Sequence, residues 1–277
     1  MKKLLLVVCA GILMYDLSAQ QLRTPSPSPG QTIKQDFGLS SIELSYSRPS
    51  IKGRKIFGDV RPFGVLWRTG ANGATTLNFG NDVTIGGTLV KAGKYGLLTI
   101  PEKENWTVII TKQLDVTSPD AYKKESDVVR LTVKPVVLKE PVETFSIQFA
   151  NVKPNSCDLQ LAWETTLVSF PITTDIDTKV TAQINELMNK DNRPYFNAAM
   201  YYVDNGKDLN QALGWFNKAL EQNQGAFFIV YQKAVCLAKL GRKEEAKATA
   251  LQGITAAKQA KNDDYVALNE KLIASLK

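Results

Sequence analysis

The spacing of apolar residues changes period once along this chain, near Pro171, and that change constrains the fold more than any other feature. Before it, short runs alternate polar and apolar residues. Ser41-Ile42-Glu43-Leu44-Ser45-Tyr46, Thr144-Phe145-Ser146-Ile147-Gln148-Phe149 and Asp158-Leu159-Gln160-Leu161-Ala162-Trp163 all do so. A period of two sends one set of side chains to a core face and the other toward water, as in a half-buried β-strand. Gly86-Gly87 separates Val83-Thr84-Ile85 from Thr88-Leu89-Val90, a two-residue hairpin signal. Trp106–Ile110 and Val128–Val133 add further strands, with Trp106 and Trp163 expected in the core. Many short strands with turns between them predict an antiparallel β-sandwich or jelly-roll-like domain over residues 31–173.

Beyond Pro171 the alternation stops and alanine-rich helical patterns begin, giving an α+β chain with a separate all-α domain over residues 174–277. Asp175 or Asp177 is placed to cap a helix reaching about Asn189. Pro194 suits the first turn of a second helix, which reaches about Val203. Ala212, Phe216 and Ala219 recur as Ala246, Ala250 and Gly253, each 34 residues later. Gly206 and Gly241 mark the corresponding turns, one residue further apart. Small residues let paired helices approach, and a large one fills the groove between them. This spacing resembles a tetratricopeptide repeat, in two degenerate copies followed by a last helix over about residues 263–276. The alternative is an ordinary helical bundle.

The N-terminus reads as a targeting segment. Lys2 and Lys3 precede an uncharged apolar run from Leu4 to Met14, and Leu17-Ser18-Ala19 offers a cleavage site. The run is too short to span a membrane. The expectation is a signal peptide over residues 1–19 and a periplasmic or extracellular protein of a Gram-negative bacterium. Residues 20–30 hold Pro25, Pro27 and Pro29 between serines and read as an extended linker.

Composition removes several chemistries. The 277 residues contain no histidine. No Ser–His–Asp or Cys–His arrangement can therefore be built, and the side chain best suited to proton transfer near neutral pH is missing. Cys157 and Cys236 are the cysteines beyond the export segment, too few for a four-thiolate metal site. They are read as buried hydrophobes rather than a disulfide. No metal or cofactor is expected. The formal charge of +7 is dispersed, and export would separate the chain from nucleic acid, so nucleic-acid binding is not expected.

Chemistry concentrates between Arg48 and Asn72. Arg48, Lys52, Arg54, Lys55, Arg61 and Arg68 lie there with Asp59 as the one acid, interleaved with Phe57, Phe63, Trp67, Gly53, Gly58, Gly64 and Gly70, with Gly73 directly after. Glycine lets backbone approach a ligand closely, and guanidinium forks match carboxylates and phosphates. The candidate ligand-binding residues are Arg48, Lys52, Arg54, Trp67, Arg68 and Asn72, and no catalytic residue is assigned. The bland alternative is a turn-rich crossover whose arginines bond local carbonyls.

The blocks Arg48-Pro49, Lys52-Gly53-Arg54, Trp67-Arg68-Thr69-Gly70-Ala71-Asn72 and Gly93-Lys94-Tyr95 resemble the secreted bacterial domain-of-unknown-function family 2911, over about residues 24–170. The resemblance implies an exported domain with no assigned activity. The family pattern places an acid directly after Gly-Ala-Asn, where this chain has Gly73, so no carboxylate is carried over.

Two functions follow as expectations. The first is a non-enzymatic module that holds a small anionic or saccharide ligand on the sandwich and a protein or peptide on the helical repeats. The second is a cell-envelope hydrolase with arginines polarising the substrate and a carboxylate such as Asp59 or Asp82 as base.

Overall fold

The computed structural model describes residues 24–276, which divide into two compact units, one ending at Thr174 and one beginning at Asp175. The export segment expected at residues 1–19 lies outside the described residues. Among the described residues, no helix is long and apolar enough to cross a membrane.

The first unit has ten strands, all antiparallel, in two sheets. The larger sheet contains β1 (Gly30–Phe37), β2 (Ser40–Ser47), β3 (Thr75–Phe79), β6 (Gly93–Ile100), β7 (Trp106–Thr111) and β8 (Asp127–Val133), in that spatial order. The smaller contains β5 (Thr88–Val90), β4 (Val83–Ile85), β10 (Ser156–Thr173) and β9 (Val136–Lys153). One core joins them. Ile42, Leu44 and Tyr46 of β2, Leu77 and Phe79 of β3, and Phe145, Ile147, Leu159, Leu161 and Trp163 of the long hairpin all belong to it. These are the apolar members of the alternating runs, and the period of two places them on the inner faces. The expected turn between β4 and β5 forms with Gly86 at φ 56° and Gly87 at φ 79°. Positive φ at both positions matches the twist of the flanking strands.

The central strand β6 is buried on both faces. Its Leu98 joins Ile109 of β7 and Val116 in a second, small cluster on the outer face, with Leu66 and Tyr122 packed against it. Val116 thereby anchors the segment between β7 and β8 over the sheet. Tyr122 in the same segment donates to Asp127, and Arg130 pairs with that carboxylate at 2.9 Å.

The second unit is helical: α1 (Asp177–Leu187), α2 (Tyr195–Asp204), α3 (Leu209–Gln222), α4 (Phe227–Lys239), α5 (Lys243–Gln259) and α6 (Asp263–Ser275). Asp175 supplies the first capping bond, its Oδ1 accepting from the Thr178 amide at 3.1 Å. Asp177 instead pairs with Lys207 and accepts from the Tyr201 hydroxyl. Ala212, Phe216 and Ala219 of α3 and Ala246, Ala250 and Gly253 of α5 are all buried. Consecutive helices from α2 to α6 pack on one another.

Candidate functional site

The segment from Arg48 to Asn72 connects β2 to β3 and buries Ile56, Phe57 and Trp67 in the core. Its entry is pinned to β9: the Ile51 amide donates to the Glu143 carbonyl, and the Phe145 amide to the Pro49 carbonyl, both at 2.9 Å. Two carboxylates, those of Glu143 and Glu164, accept from its backbone among the described residues. Glu143 accepts from the Lys52 amide at 2.9 Å. Glu164 accepts from the Ile56 and Phe57 amides, each at 3.3 Å. Glu164 sits at φ 53° where β10 departs from its register with β9, and this irregularity accompanies the turn of its side chain toward the loop.

Trp67 then runs antiparallel beside Thr99 of β6, exchanging two backbone hydrogen bonds of 2.7 and 2.9 Å. Its neighbour in space is the start of β3, since Thr75 pairs with Leu97 two residues along β6. Residues 68–74 form a tight excursion between these positions, closed by the Thr75 amide on the Arg68 carbonyl. The Trp-Arg-Thr-Gly-Ala-Asn block is the chemistry of this excursion. Thr69 (φ 56°) and Asn72 (φ 59°) both adopt left-handed backbone. Asparagine tolerates that region, whereas a β-branched residue is strained there. The fully buried Thr69 is held by its hydroxyl, which donates to the Trp67 carbonyl and shares a hydrogen bond of 3.0 Å with the Thr99 hydroxyl. At Gly70 (φ 155°) a Cβ would lie 3.0 Å from the Ser47 carbonyl, so only glycine fits without displacement.

The candidate residues separate in this framework. Arg48 lies against β9, donating to the Phe145 carbonyl and to Ser146 at 2.8 Å. Lys52 sits at the exposed turn, at φ 50°. Asn72 donates to the Ser28 carbonyl and the Ser47 hydroxyl, both at 3.2 Å. Trp67 is 2 % exposed and stacks on Trp163 with ring centroids 5.7 Å apart, while its indole N–H donates to the Gly70 carbonyl. It is therefore a core residue rather than a ligand platform. Trp106 and Trp163, expected in the core, are buried with it.

Arg61 and Arg68 are the residues the fold brings to one small cavity beside Trp67, with Arg54 near enough to Arg61 to act on its charge. Burial, and then repulsion from Arg68 and Arg54, holds the Arg61 guanidinium below the usual arginine range. Arg61 also lies 5.7 Å above the Trp67 ring, on the quadrupole's negative face. Arg54 folds over its own turn, donating to the Ser50 and Ile51 carbonyls. Arg68 donates to the Thr117 carbonyl. Among the described residues none of these three arginines forms an ion pair. Arg61 was not among the sequence-based candidates. It closes the turn that starts at Ile56, its amide donating to the Ile56 carbonyl at 2.8 Å, and only this closure carries it beside Arg68.

A separate shallow hollow of about 310 Å³ opens at Gly73, lined by Gln31, Thr32, Ser45, Ser47 and Thr76. A Cβ at Gly73 would meet open space. Asp82 pairs with Lys91 and accepts from the Ala92 amide. Among the described residues no cluster of three His, Cys, Asp or Glu side chains could hold a metal ion.

Both described cysteines are free and buried. Burial, with a lesser contribution from Asp158, pushes the Cys157 thiol up to about 11, and burial also raises Cys236. Because the thiolate is the reactive form, native protein is expected to react with a thiol reagent such as dithionitrobenzoate at least ~100-fold more slowly at pH 8 than the urea-unfolded chain. Rapid labelling of the native chain would contradict this burial.

No curated protein and no solved structure matches the chain. A family model described as "Protein of unknown function (DUF2911)" matches residues 28–172, which takes in all but the last residue of the double sheet and its arginine-bearing loop. That match spans more than half of the chain, and the protein belongs to this family.

Proposed function

We propose that this protein is a non-enzymatic binding module of the bacterial cell envelope, exported by its N-terminal segment, whose sandwich recognises an anionic group through Arg54, Arg61 and Arg68. The observation that carries this reading is the placement of Arg61 and Arg68 on one small cavity, with Arg54 close enough to repel Arg61 and none of the three ion-paired among the described residues. Mutual repulsion at such a cluster is relieved by a bound anion, and guanidinium forks suit carboxylates and phosphates. An acidic saccharide of the envelope has this chemistry. In this reading the helical unit provides a protein-binding surface. The recurrence of small residues at a 34-residue interval supports it, as does a hollow of about 450 Å³ bordered by Tyr195, Trp215, Arg193 and Lys218.

The hydrolase alternative needs a carboxylate aimed at the substrate beside the arginines. Of the carboxylates suggested for it, Asp82 pairs with Lys91 and accepts from the Ala92 amide, while Glu143 and Glu164 beside the loop bond backbone amides, which favours binding over catalysis.

Thermal-shift titration of the full chain against acidic sugars, peptidoglycan fragments, neutral sugars and divalent metals tests this reading. Anionic ligands are expected to raise the melting temperature saturably. Arg54→Gln is expected to weaken that response while moving the unliganded melt by only a few degrees, because Arg54 is exposed and bonds only nearby carbonyls. No response to any anion would overturn the proposal and favour a protein partner alone.

A further inference from the structure

The hollow of about 450 Å³ in the helical unit combines three features. Its walls are mostly apolar: Met188 follows α1, Tyr195 opens α2, and Trp215 lies on α3. Trp215 is half-buried and fixed by a T-shaped contact with Tyr202, the ring centroids 4.7 Å apart. A fixed, partly exposed tryptophan is the residue type that anchors partners at interfaces. The second feature is Gly214, in the interior of α3 and exposed. An interior glycine weakens a helix relative to alanine. Nothing in this chain asks for glycine there, because its φ is not positive and a Cβ would meet open space. It leaves bare helix backbone on the wall of the hollow, open to close approach. The third feature is Arg193. Its Nε donates to the Lys190 carbonyl at 3.2 Å and its Nη1 to the Tyr195 hydroxyl at 3.1 Å. These bonds orient an exposed guanidinium that forms no ion pair among the described residues. Asp191 acts on its charge from beyond pairing distance. Lys218 also lines the hollow and pairs with Glu221 at 3.1 Å.

We infer that this hollow receives a peptide segment of a partner protein in which a large apolar side chain lies next to an Asp or Glu, the apolar group against Trp215 and Gly214 and the carboxylate on Arg193. The inference rests on the protein-binding reading of the helical unit given above and names the kind of sequence recognised. A purely apolar segment would cover Arg193 and leave its remaining donors desolvated and unpaired. A basic segment would meet like charge from Arg193 and Lys218. A carboxylate matches the guanidinium fork in charge and shape.

The test begins with a random dodecapeptide library displayed on phage and selected against the full chain. Enriched peptides are expected to carry an acid beside an aromatic or long aliphatic residue. The best is then made with a fluorescein label and an amidated C-terminus and titrated by anisotropy, with hydrogen exchange mapping where it protects the chain. Gly214→Leu and Arg193→Glu are each expected to weaken it roughly tenfold or more, as is exchange of its acid for the amide. Gly214→Ala separates binding from folding: the helical melt is expected to rise by a few degrees while the peptide binds less tightly. Enrichment of basic peptides would overturn the inference, as would equal binding of the peptide with its acid exchanged. So would binding that needs a free C-terminal carboxylate, or self-association of the chain that Gly214→Leu abolishes, since the occupant would then be a chain end or a second copy. Protection elsewhere in the helical unit, indifferent to both variants, would leave the protein-binding reading standing without the hollow. Should no selected peptide protect the helical unit, both fall.

Discussion

Trp67→Ala is expected to cost the sandwich about 3–5 kcal/mol and to lower its melting temperature by roughly 10 °C or more. Trp67 is 2 % exposed at the centre of an aromatic group. Its ring centroid lies 4.9 Å from that of Phe145, 5.7 Å from Trp163, 6.2 Å from Phe57 and 6.4 Å from Trp106. Truncation would open a cavity between the two sheets and leave the Gly70 carbonyl without its indole donor at 2.8 Å. It would also remove the surface under Arg61. Trp67→Phe keeps most of the apolar volume and is expected to cost about 1–2 kcal/mol, chiefly the lost hydrogen bond and some packing. Urea unfolding followed by near-ultraviolet circular dichroism reads both. An unchanged midpoint for Trp67→Ala would place Trp67 outside the core and restore it as a ligand-contacting residue.

The second large effect is expected in the helical unit. Ala212 is fully buried in α3 beside Phe216 and Ala219. Adding an indole there has no space to fill. Overpacking a dense interior forces side chains off their rotamers or separates the helices, at typically 1–3 kcal/mol and more for the largest insertions. Ala212→Trp is expected to abolish cooperative loss of the helical far-ultraviolet signal, and Ala212→Ser to change it little. Gly253→Ala provides an independent comparison, because its Cβ would lie 2.6 Å from Asn269 Oδ1, and Asn269 is itself fully buried. A cooperative, unshifted helical melt for Ala212→Trp would mean that α3 does not pack closely through Ala212.

The unequal success of sequence reading along this chain follows from what periodicity can and cannot report. In β2, β9 and β10 alternate residues face the core because the pleat demands it, so Leu44, Phe145, Leu159 and Trp163 were legible before any fold was known. The β4–β5 turn was legible because few residues other than glycine accept positive φ at two successive positions. The loop from Arg48 to Asn72 has no period. Trp67 looked like a ligand-binding residue because arginines surround it in sequence, yet it stands beside β6 in line with the start of β3 and faces inward as that strand does. Arg48 looked like a ligand-binding residue, and its partners are on β9, nearly one hundred residues away in sequence. Arg61 went unselected because nothing local distinguishes it; its relation to Arg68 arises from the turn closing at Ile56.

Local chemistry determined the strands, the helices and the division between them, since each rests on backbone preferences and on the side-chain period of a single segment. It also determined that no histidine-based mechanism is available to this chain. The tertiary structure alone decided which arginines meet. Their convergence depends on contacts between residues distant in sequence: Trp67 on Thr99, Glu164 on the Ile56 and Phe57 amides, and Arg68 on the Thr117 carbonyl. Such contacts are set by how two sheets close over one core, and that closure leaves no periodic trace in the loop that carries the site.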